Sequence, residues 1–490
     1  MYGEEKLNAS NLLRYSLTKE FIEAFSSLKY MGLELPPLLL RNYHQHIAPL
    51  VNQNLTNGQL IKKLQQKHGL YYICDVQKAL ERKPSVEQDL LKDSGRNMLA
   101  VQARFLRFAM DRFPDEEVLV ILRNPQEEEL FLSGLDMPPS YRVFNYRERL
   151  KETRPVHQEV TSILTEADLL IQKYTKHLVF DRPEFRLWLR KFLLYSIKVV
   201  HLMNRVILDE PIRIILSDVE VVNPDITMSL LAARYNLFFI NAPVVLITDR
   251  NLIPTRAAYH CAWGDHYRTW LKKRGIDASK IIRTGNLRFE YDPHPSSLDK
   301  KNMASQFNIP EGNYIAAYTT QTFPEEVNRS VVQWIQYAAA GQPFTVLIKR
   351  HPSDKTDYSA FTGTGQIIEV PDSIGLFDLL PNIDYLMTIS SNTAIEAALM
   401  RKGIIVLQPE IPYQYDRHDN DYHSLLAKSK AGLVASSPEQ LKNIIAKLCS
   451  SERLHRVLHN MAERFLSKTI HKGALSAPSE DMDHFIKTLL

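Results

Sequence analysis

The chain predicts an α/β protein with two doubly wound parallel sheets that face each other across a cleft. Three observations carry that expectation. Short apolar runs alternate with helix-like patterns through much of the 490 residues. Several runs are nearly unbroken Val, Ile and Leu, as strands covered on both faces require. The runs also fall into two series, separated by "YDPHPSSLDKK" (291–301), where proline, serine and charge cluster.

The first series reads "GLYYICD" (69–75), "EVLVILR" (117–123), "RIILSD" (213–218), "NLFFINAP" (236–243), "YHCAWG" (259–264) and "KIIRTGN" (280–286). The second reads "NYIAAYTT" (313–320), "FTVLIKR" (344–350), "QIIEVP" (366–371), "DYLMTIS" (384–390), "GIIVLQP" (403–409) and "AGLVAS" (431–436). Residues 1–65 are expected to be a helical extension. A Rossmann-like domain follows over 66–295, with a helical insertion at about 150–210 where apolar residues recur at i, i+3 and i+4. A second Rossmann-like domain covers 302–470, and a terminal helix covers 471–490. No internal repeat is visible.

The totals exclude several classes. Hydrophobic residues make up 44% and charged residues 24%, a globular balance. The net charge of +4 is mild, and no Lys/Arg block stands beside an aromatic motif, which argues against nucleic acid as a partner. A weak basic face still suits peripheral contact with an anionic membrane surface. Cys74, Cys261 and Cys449 form neither a disulfide framework nor a metal spacing, so a reducing, cytoplasmic setting is expected. No signal-peptide layout opens the chain. The most apolar helix-like stretch, "FLLYSIKVVHLMNRVIL" (192–208), is interrupted by Lys198, His201 and Arg205. Neither GxGxxG nor a Walker loop is present, which disfavours an NAD enzyme or a P-loop kinase.

Ligands of open α/β sheets bind beyond the carboxyl ends of the strands. Three such corners stand out in the second series. In "ISSNTAIEA", Ser390, Ser391, Asn392 and Thr393 follow a strand and open a helix. Thr393 and Glu396 have capping-box spacing, which explains Thr393 by itself. Four consecutive small polar residues exceed what a cap needs, and they suit a phosphate at a helix start. Glu396, one turn in, can accept from a sugar hydroxyl. In "FTVLIKRHPSD", Lys349, Arg350, His351 and Pro352 leave a strand. Lys349 and Arg350 singly read as a solvated strand exit, whereas His351 is placed to donate to a phosphate oxygen and to carry a proton. Thr320 and Gln321 lie in the third corner, "YTTQTFPEE" (318–326), where Thr322 and Glu325 repeat the capping spacing.

"KRHPS" followed by "ISSNTAIEAAL" resembles the His-Pro and Ser-Ser motifs of bacterial glycosyltransferases with the two-domain GT-B architecture, above all the sialyltransferase-like and Kdo-transferase-like families. "CAWGDHYRTWLKKRGIDASKIIRTGNLRFE" (261–290) resembles the interdomain segment of capsule and teichoic-acid transferases, with Leu287 in place of the usual Pro. The likeness spans roughly residues 210–440. It implies that His351 contacts the donor phosphate and helps the nucleotide leave, that Ser390 and Ser391 hold the same phosphate, and that Glu396 serves the ribose. It implies no metal and no bound cofactor; the nucleotide-activated donor is a substrate.

An inverting transfer needs a base for the acceptor hydroxyl. Asp218 and Glu220, just past a strand in "IILSDVEVVNPD", resemble the family's acidic motif, although the Gly expected after the acids is missing. Solvated acids in a loop are an equally good account. Asp225 reads as a helix cap or dipole partner. "FINAP" (239–243) stands where relatives carry a "QHG" turn. "YQYDRHDNDYH" (413–423) lacks a metal-ligand pattern and reads as a loop lining the nucleotide or acceptor. The expected activity is an inverting, metal-independent transfer of a sugar, such as a nonulosonic acid or Kdo, from a CMP-activated donor to a glycan, lipid-linked or protein acceptor. The alternatives are a CDP-glycerol glycerophosphotransferase-like enzyme, a UDP-N-acetylglucosamine 2-epimerase-like enzyme and a non-catalytic subunit of a glycan-assembly complex.

Overall fold

The computed structural model describes residues 5–87, 91, 95–291, 298–411, 422–471 and 477–490. They form two units. The N-terminal unit takes in residues 5–262, 271–291 and the chain end, and the C-terminal unit takes in 263–270 and the segment up to His471.

A small antiparallel hairpin, β1 (Lys29–Tyr30) and β2 (Leu33–Glu34), comes first. The sheet of the N-terminal unit holds β3 (Met98–Gln102), β4 (Val118–Leu122), β5 (Tyr141–Asn145), β6 (Ile212–Ser217), β7 (Phe238–Asn241), β8 (Tyr259–Ala262) and β9 (Ile281–Arg283). All its pairings are parallel, in the order β5-β4-β3-β6-β7-β8-β9. The C-terminal unit holds β10 (Tyr314–Thr319), β11 (Phe344–Lys349), β12 (Ile367–Glu369), β13 (Tyr385–Thr388), β14 (Gly403–Leu407) and β15 (Leu433–Ala435). These are also parallel, in the order β12-β11-β10-β13-β14-β15. The fold class is therefore the expected one, a pair of parallel-sheet α/β units of the GT-B kind. The strand order reverses between β3 and β6 in one sheet and between β10 and β13 in the other. A crevice for ligands opens at such a reversal.

Central strands are buried throughout, which explains their unbroken apolar character. β3, β4, β13 and β14 have no exposed position. Helices Glu325–Ala339 and Pro438–Ser450 cover the C-terminal sheet through Val331, Ile335, Leu441 and Ile445.

Several sequence expectations change. "GLYYICD" is no strand: helix Ile73–Leu80 starts inside it. Asp75 accepts from the Tyr71 and Tyr72 amides at 2.9 and 2.8 Å, and this local cap outweighs the β-type composition. β3 and β5 were absent from the expected series; "MLAVQ" and "YRVFN" are short and do not stand out by alternation. The first 65 residues are largely helical, with helices Ala9–Ala24 and Leu40–Gln53 and the start of Gly58–His68. Phe21, Phe25 and Tyr43 pack on Phe180, Phe185 and Trp188 of the 150–210 insertion, with Phe21 and Tyr43 stacked at 4.3 Å. The terminal helix Pro478–Lys487 returns to the N-terminal unit, where Phe485 meets Tyr259 edge-on at 5.0 Å. The His-Pro pair at 294–295 and residues 413–421 of the Tyr/Asp/His-rich stretch lie outside the described residues. Among the described residues, no helix is long and apolar enough to cross a membrane.

Candidate functional site

The strand-order reversal of the C-terminal sheet brings all three sequence-predicted corners together. Thr320 and Gln321 follow β10, His351 follows β11, and Ser390 through Thr393 follow β13. Gln321 reaches across the reversal. Its Nε2 donates to Ser390 Oγ at 3.0 Å, and its Oε1 accepts from the Ser390 amide at 2.9 Å. One side chain thus ties the two strand exits. Thr319 Oγ1 and Thr393 Oγ1 add a second tie at 2.8 Å. Ser390 is buried, and its hydroxyl also meets His423 Nδ1 at 3.1 Å.

His351 is fixed at its backbone and one ring nitrogen. Its amide donates to Thr320 Oγ1 at 2.9 Å, and its Nδ1 accepts from the Ser353 amide at 3.1 Å. An Nδ1 that accepts leaves the ring hydrogen on Nε2. The ring is exposed, and Nε2 has no partner among the described residues. Pro352, also exposed, is followed by the turn in which the Asp354 amide donates to His351 O at 2.8 Å.

Asp354 organises this turn and was not singled out from the sequence. Its carboxylate accepts from Asn328 Nδ2 at 3.1 Å, the Thr356 amide at 3.0 Å and Tyr358 OH at 2.7 Å. Burial alone would raise its pKa; the bonds from Thr320, Thr356 and Tyr358 prevail and hold it below the ordinary range. The available signal was the "DKT" that follows His-Pro-Ser, in which the Asp can accept from the amide two residues on.

Other predicted residues are placed differently. Lys349 Nζ donates to Pro371 O at 3.2 Å, toward β12 and away from β13, so it does not join the corner. Arg350 pairs with Glu369 at 2.8 Å. Neither expected capping box forms. Helix Thr393–Leu399 has Asn392 at its N-cap with no side-chain cap bond, because the Thr393 hydroxyl is spent on Thr319. Helix Glu325–Ala339 has Pro324 in that place. The seven-residue length of helix Thr393–Leu399 also makes its dipole a minor contributor. Ser391 Oγ accepts from the Thr393 amide at 3.2 Å, and Glu396 is buried rather than presented at the rim.

The reversal in the N-terminal sheet is polar as well. Asp218, after β6, is clamped by Arg104 at 2.7 Å and Arg123 at 3.1 Å, and its amide donates to Gln102 Oε1 at 3.1 Å. Asp225 opens helix Asp225–Tyr235 but caps nothing with its side chain. It accepts instead from Ser217 Oγ at 2.9 Å and from Gln102 Nε2. Burial pushes the Asp225 carboxyl up to about 7; Arg123 opposes this and Asp218 adds to it. Glu220 corrects the sequence reading. It is 1% exposed, and its oxygens accept from Thr255 Oγ1 at 2.5 Å and the Arg256 amide at 2.6 Å. Burial raises its pKa. A carboxylate sealed in this way anchors a loop and does not meet an acceptor. Gln102, Arg104 and Arg123 went unremarked in the sequence, although "VLVILR" does end in a charge.

The sequence profile of the family described as CDP-glycerol:poly(glycerophosphate) glycerophosphotransferase matches residues 255–469, less than half of the chain. On this match the chain is a glycosyltransferase-type enzyme. Among curated proteins, no sequence matches it. Similar solved structures include S. aureus MnaA with UDP, at 13% identity and a TM-score of 0.47, covering 80% of this chain and 98% of that one. The UDP-GlcNAc 2-epimerase of Neisseria meningitidis bound to UDP-GlcNAc aligns at 12% identity and a TM-score of 0.48, covering 80% and 99%. The wall teichoic acid polymerase TagF aligns at 11% identity and a TM-score of 0.44, covering 91% and 96%.

Proposed function

We propose that the protein transfers glycerol phosphate from a cytidine diphosphate donor of the CDP-glycerol type to a hydroxyl of a glycan or polyol-phosphate acceptor. The family match spans both corners that carry His351 and Ser390, and it favours CDP-glycerol over the CMP-activated sugar expected from the sequence. The observation that carries the reading is the geometry of His351. Its Nδ1 is occupied by Ser353, and its Nε2 hydrogen faces outward beside a strand-order reversal.

In this reading the acceptor oxygen attacks the phosphorus that bears glycerol. A new O–P bond forms, and the P–O bond to the cytidine monophosphate breaks with its electron pair going to CMP. The His351 Nε2–H donates to the diphosphate, most strongly to the oxygen on which charge accumulates. Ser391 contributes its hydroxyl beside the phosphates, and Thr320, Gln321, Asp354, Ser390 and Thr393 hold the loops in register. The acceptor proton passes to a general base or to water.

Calorimetric titration with CDP-glycerol, CMP and UDP, coupled to a CMP-release assay, tests the proposal. Cytidine nucleotides should saturate and UDP should not. His351→Ala should cut CMP release about 10²–10³-fold, the usual effect of losing one preorganised donor, while CMP affinity changes little. Saturation by UDP alone, or full turnover by His351→Ala, would overturn it.

A further inference from the structure

The N-terminal unit carries a concave site that the transfer reaction does not use. A cavity of about 440 Å³ lies at the amino ends of β7, β8 and β9. That is the size range of small-molecule sites. The strands are parallel, so the cavity sits at the sheet edge opposite the strand exits, where Asp218 follows β6. Helix Asp225–Tyr235 walls one side through Ala232 and Ala233, and the segment entering β8 adds Ala257 and Ala258. These short side chains leave an apolar hollow that longer ones would fill.

The charged part of the lining has one sign. Lys83, Arg256 and Lys280 belong to it, and no carboxylate does. The neighbouring acids are weakly placed or occupied. Glu81 pairs with Lys83 at 3.1 Å, a half-exposed pair that water screens. Glu34 pairs with Arg82 at 2.9 Å. Asp277 accepts from the Ser279 amide and hydroxyl, each at 2.9 Å. Glu220 is sealed by Thr255 and the Arg256 amide.

Lys83 and Lys280 are far apart in the chain yet neighbours here. Burial foremost, then the Lys83 ammonium, lowers the Lys280 pKa, with Glu81 and Asp277 opposing. Arg256 is 4% exposed; it donates to Arg82 O at 3.0 Å and Leu80 O at 3.3 Å, and its Nη1 has no partner among the described residues. Among those residues, no carboxylate forms an ion pair with Arg256 or Lys280. A cation held out of water projects its charge further than a solvated one. Exposed lysines at a sheet margin also serve solubility. That account covers neither the buried guanidinium beside them nor the hollow.

We propose that this cavity binds a small organic acid, with its carboxylate between Lys83 and Lys280 and its hydrocarbon body against Ala232, Ala233 and Ala258. Ionic contact is made by the two lysines, and Arg256 adds positive potential without touching the ligand. The site goes beyond the transfer reading and stands whatever the donor is.

The test is ligand-observed NMR titration of the full chain with sodium hexanoate and with sodium acetate. Hexanoate should saturate and should bind at least about tenfold tighter than acetate, because its methylenes leave water. The double variant Lys83→Gln/Lys280→Gln should lose at least about tenfold in hexanoate affinity, while an unchanged melting temperature shows that it is folded. Lys62→Gln/Lys63→Gln removes the same charge from exposed positions of helix Gly58–His68 and should bind hexanoate as the wild type does. Ala233→Leu fills the hollow and should exclude hexanoate. Saturating CMP should leave hexanoate affinity unchanged. Absence of binding by the wild type, equal affinities for the two acids, undiminished binding by Lys83→Gln/Lys280→Gln or by Ala233→Leu, an equal loss in Lys62→Gln/Lys63→Gln, or competition by CMP would overturn the proposal.

Discussion

Asp225→Asn isolates a charge that the fold holds out of water. In the unfolded chain this carboxyl titrates near about 3.9. In the folded protein, burial foremost and Asp218 with it push the value up to about 7 against the pull of Arg123. Between those two values the unfolded state has lost its proton and the folded state still holds it. Stability therefore falls as pH rises from about 4 to about 7 and levels off above that. At about 1.36 kcal/mol per pKa unit, the loss accumulated between pH 5 and pH 8 is about 2.5 kcal/mol. Asn keeps an Oδ1 acceptor for Ser217 and Gln102 and has no proton to lose. Hydrogen exchange of the β3 and β6 amides, which report on this unit, gives the opening free energy at each pH. The variant should gain about 2.5 kcal/mol on the wild type between pH 5 and pH 8. Parallel curves for the two proteins would mean that Asp225 is already ionised at pH 5, paired with Arg123, and the reasoning fails.

Gln321→Ala removes the side chain that joins β10 to β13; CMP affinity should fall about 5–30-fold by calorimetry, corresponding to one or two lost hydrogen bonds. Glu220→Ala leaves Thr255 Oγ1 and the Arg256 amide buried without an acceptor. It should lower thermal stability by about 2–4 kcal/mol in a melting experiment and leave CMP affinity unchanged. Gly264→Ala would place a Cβ 2.6 Å from Thr469 O, a backbone atom that cannot swing aside. A melting-temperature drop corresponding to about 1–3 kcal/mol is expected.

Much of the C-terminal unit was legible in the sequence because its strands are buried on both faces. "FTVLIKR" and "GIIVLQP" can hardly be anything else, and polar residues at their ends stand out against them. The capping boxes at Thr322 and Thr393 were misread for a related reason. A T-x-x-E spacing offers a cap, but the Thr393 hydroxyl finds a better-placed partner in Thr319, which is distant in sequence. Glu220 was misread because an acid after a strand looks the same whether the loop opens to water or folds over it. Only the approach of Thr255 and Arg256 seals it.

Local composition alone settled that strands and helices alternate, that two strand series exist, and that His351, Ser390 and Gln321 end their strands. That is so because burial on both faces and turn chemistry are properties of neighbouring residues. Tertiary structure alone decided that β10 and β13 lie side by side, that Lys349 turns toward β12, and that the chain end joins the first sheet. Those outcomes depend on pairing between segments far apart in the chain, where the gain is shared among many contacts and leaves no mark on any one stretch of sequence.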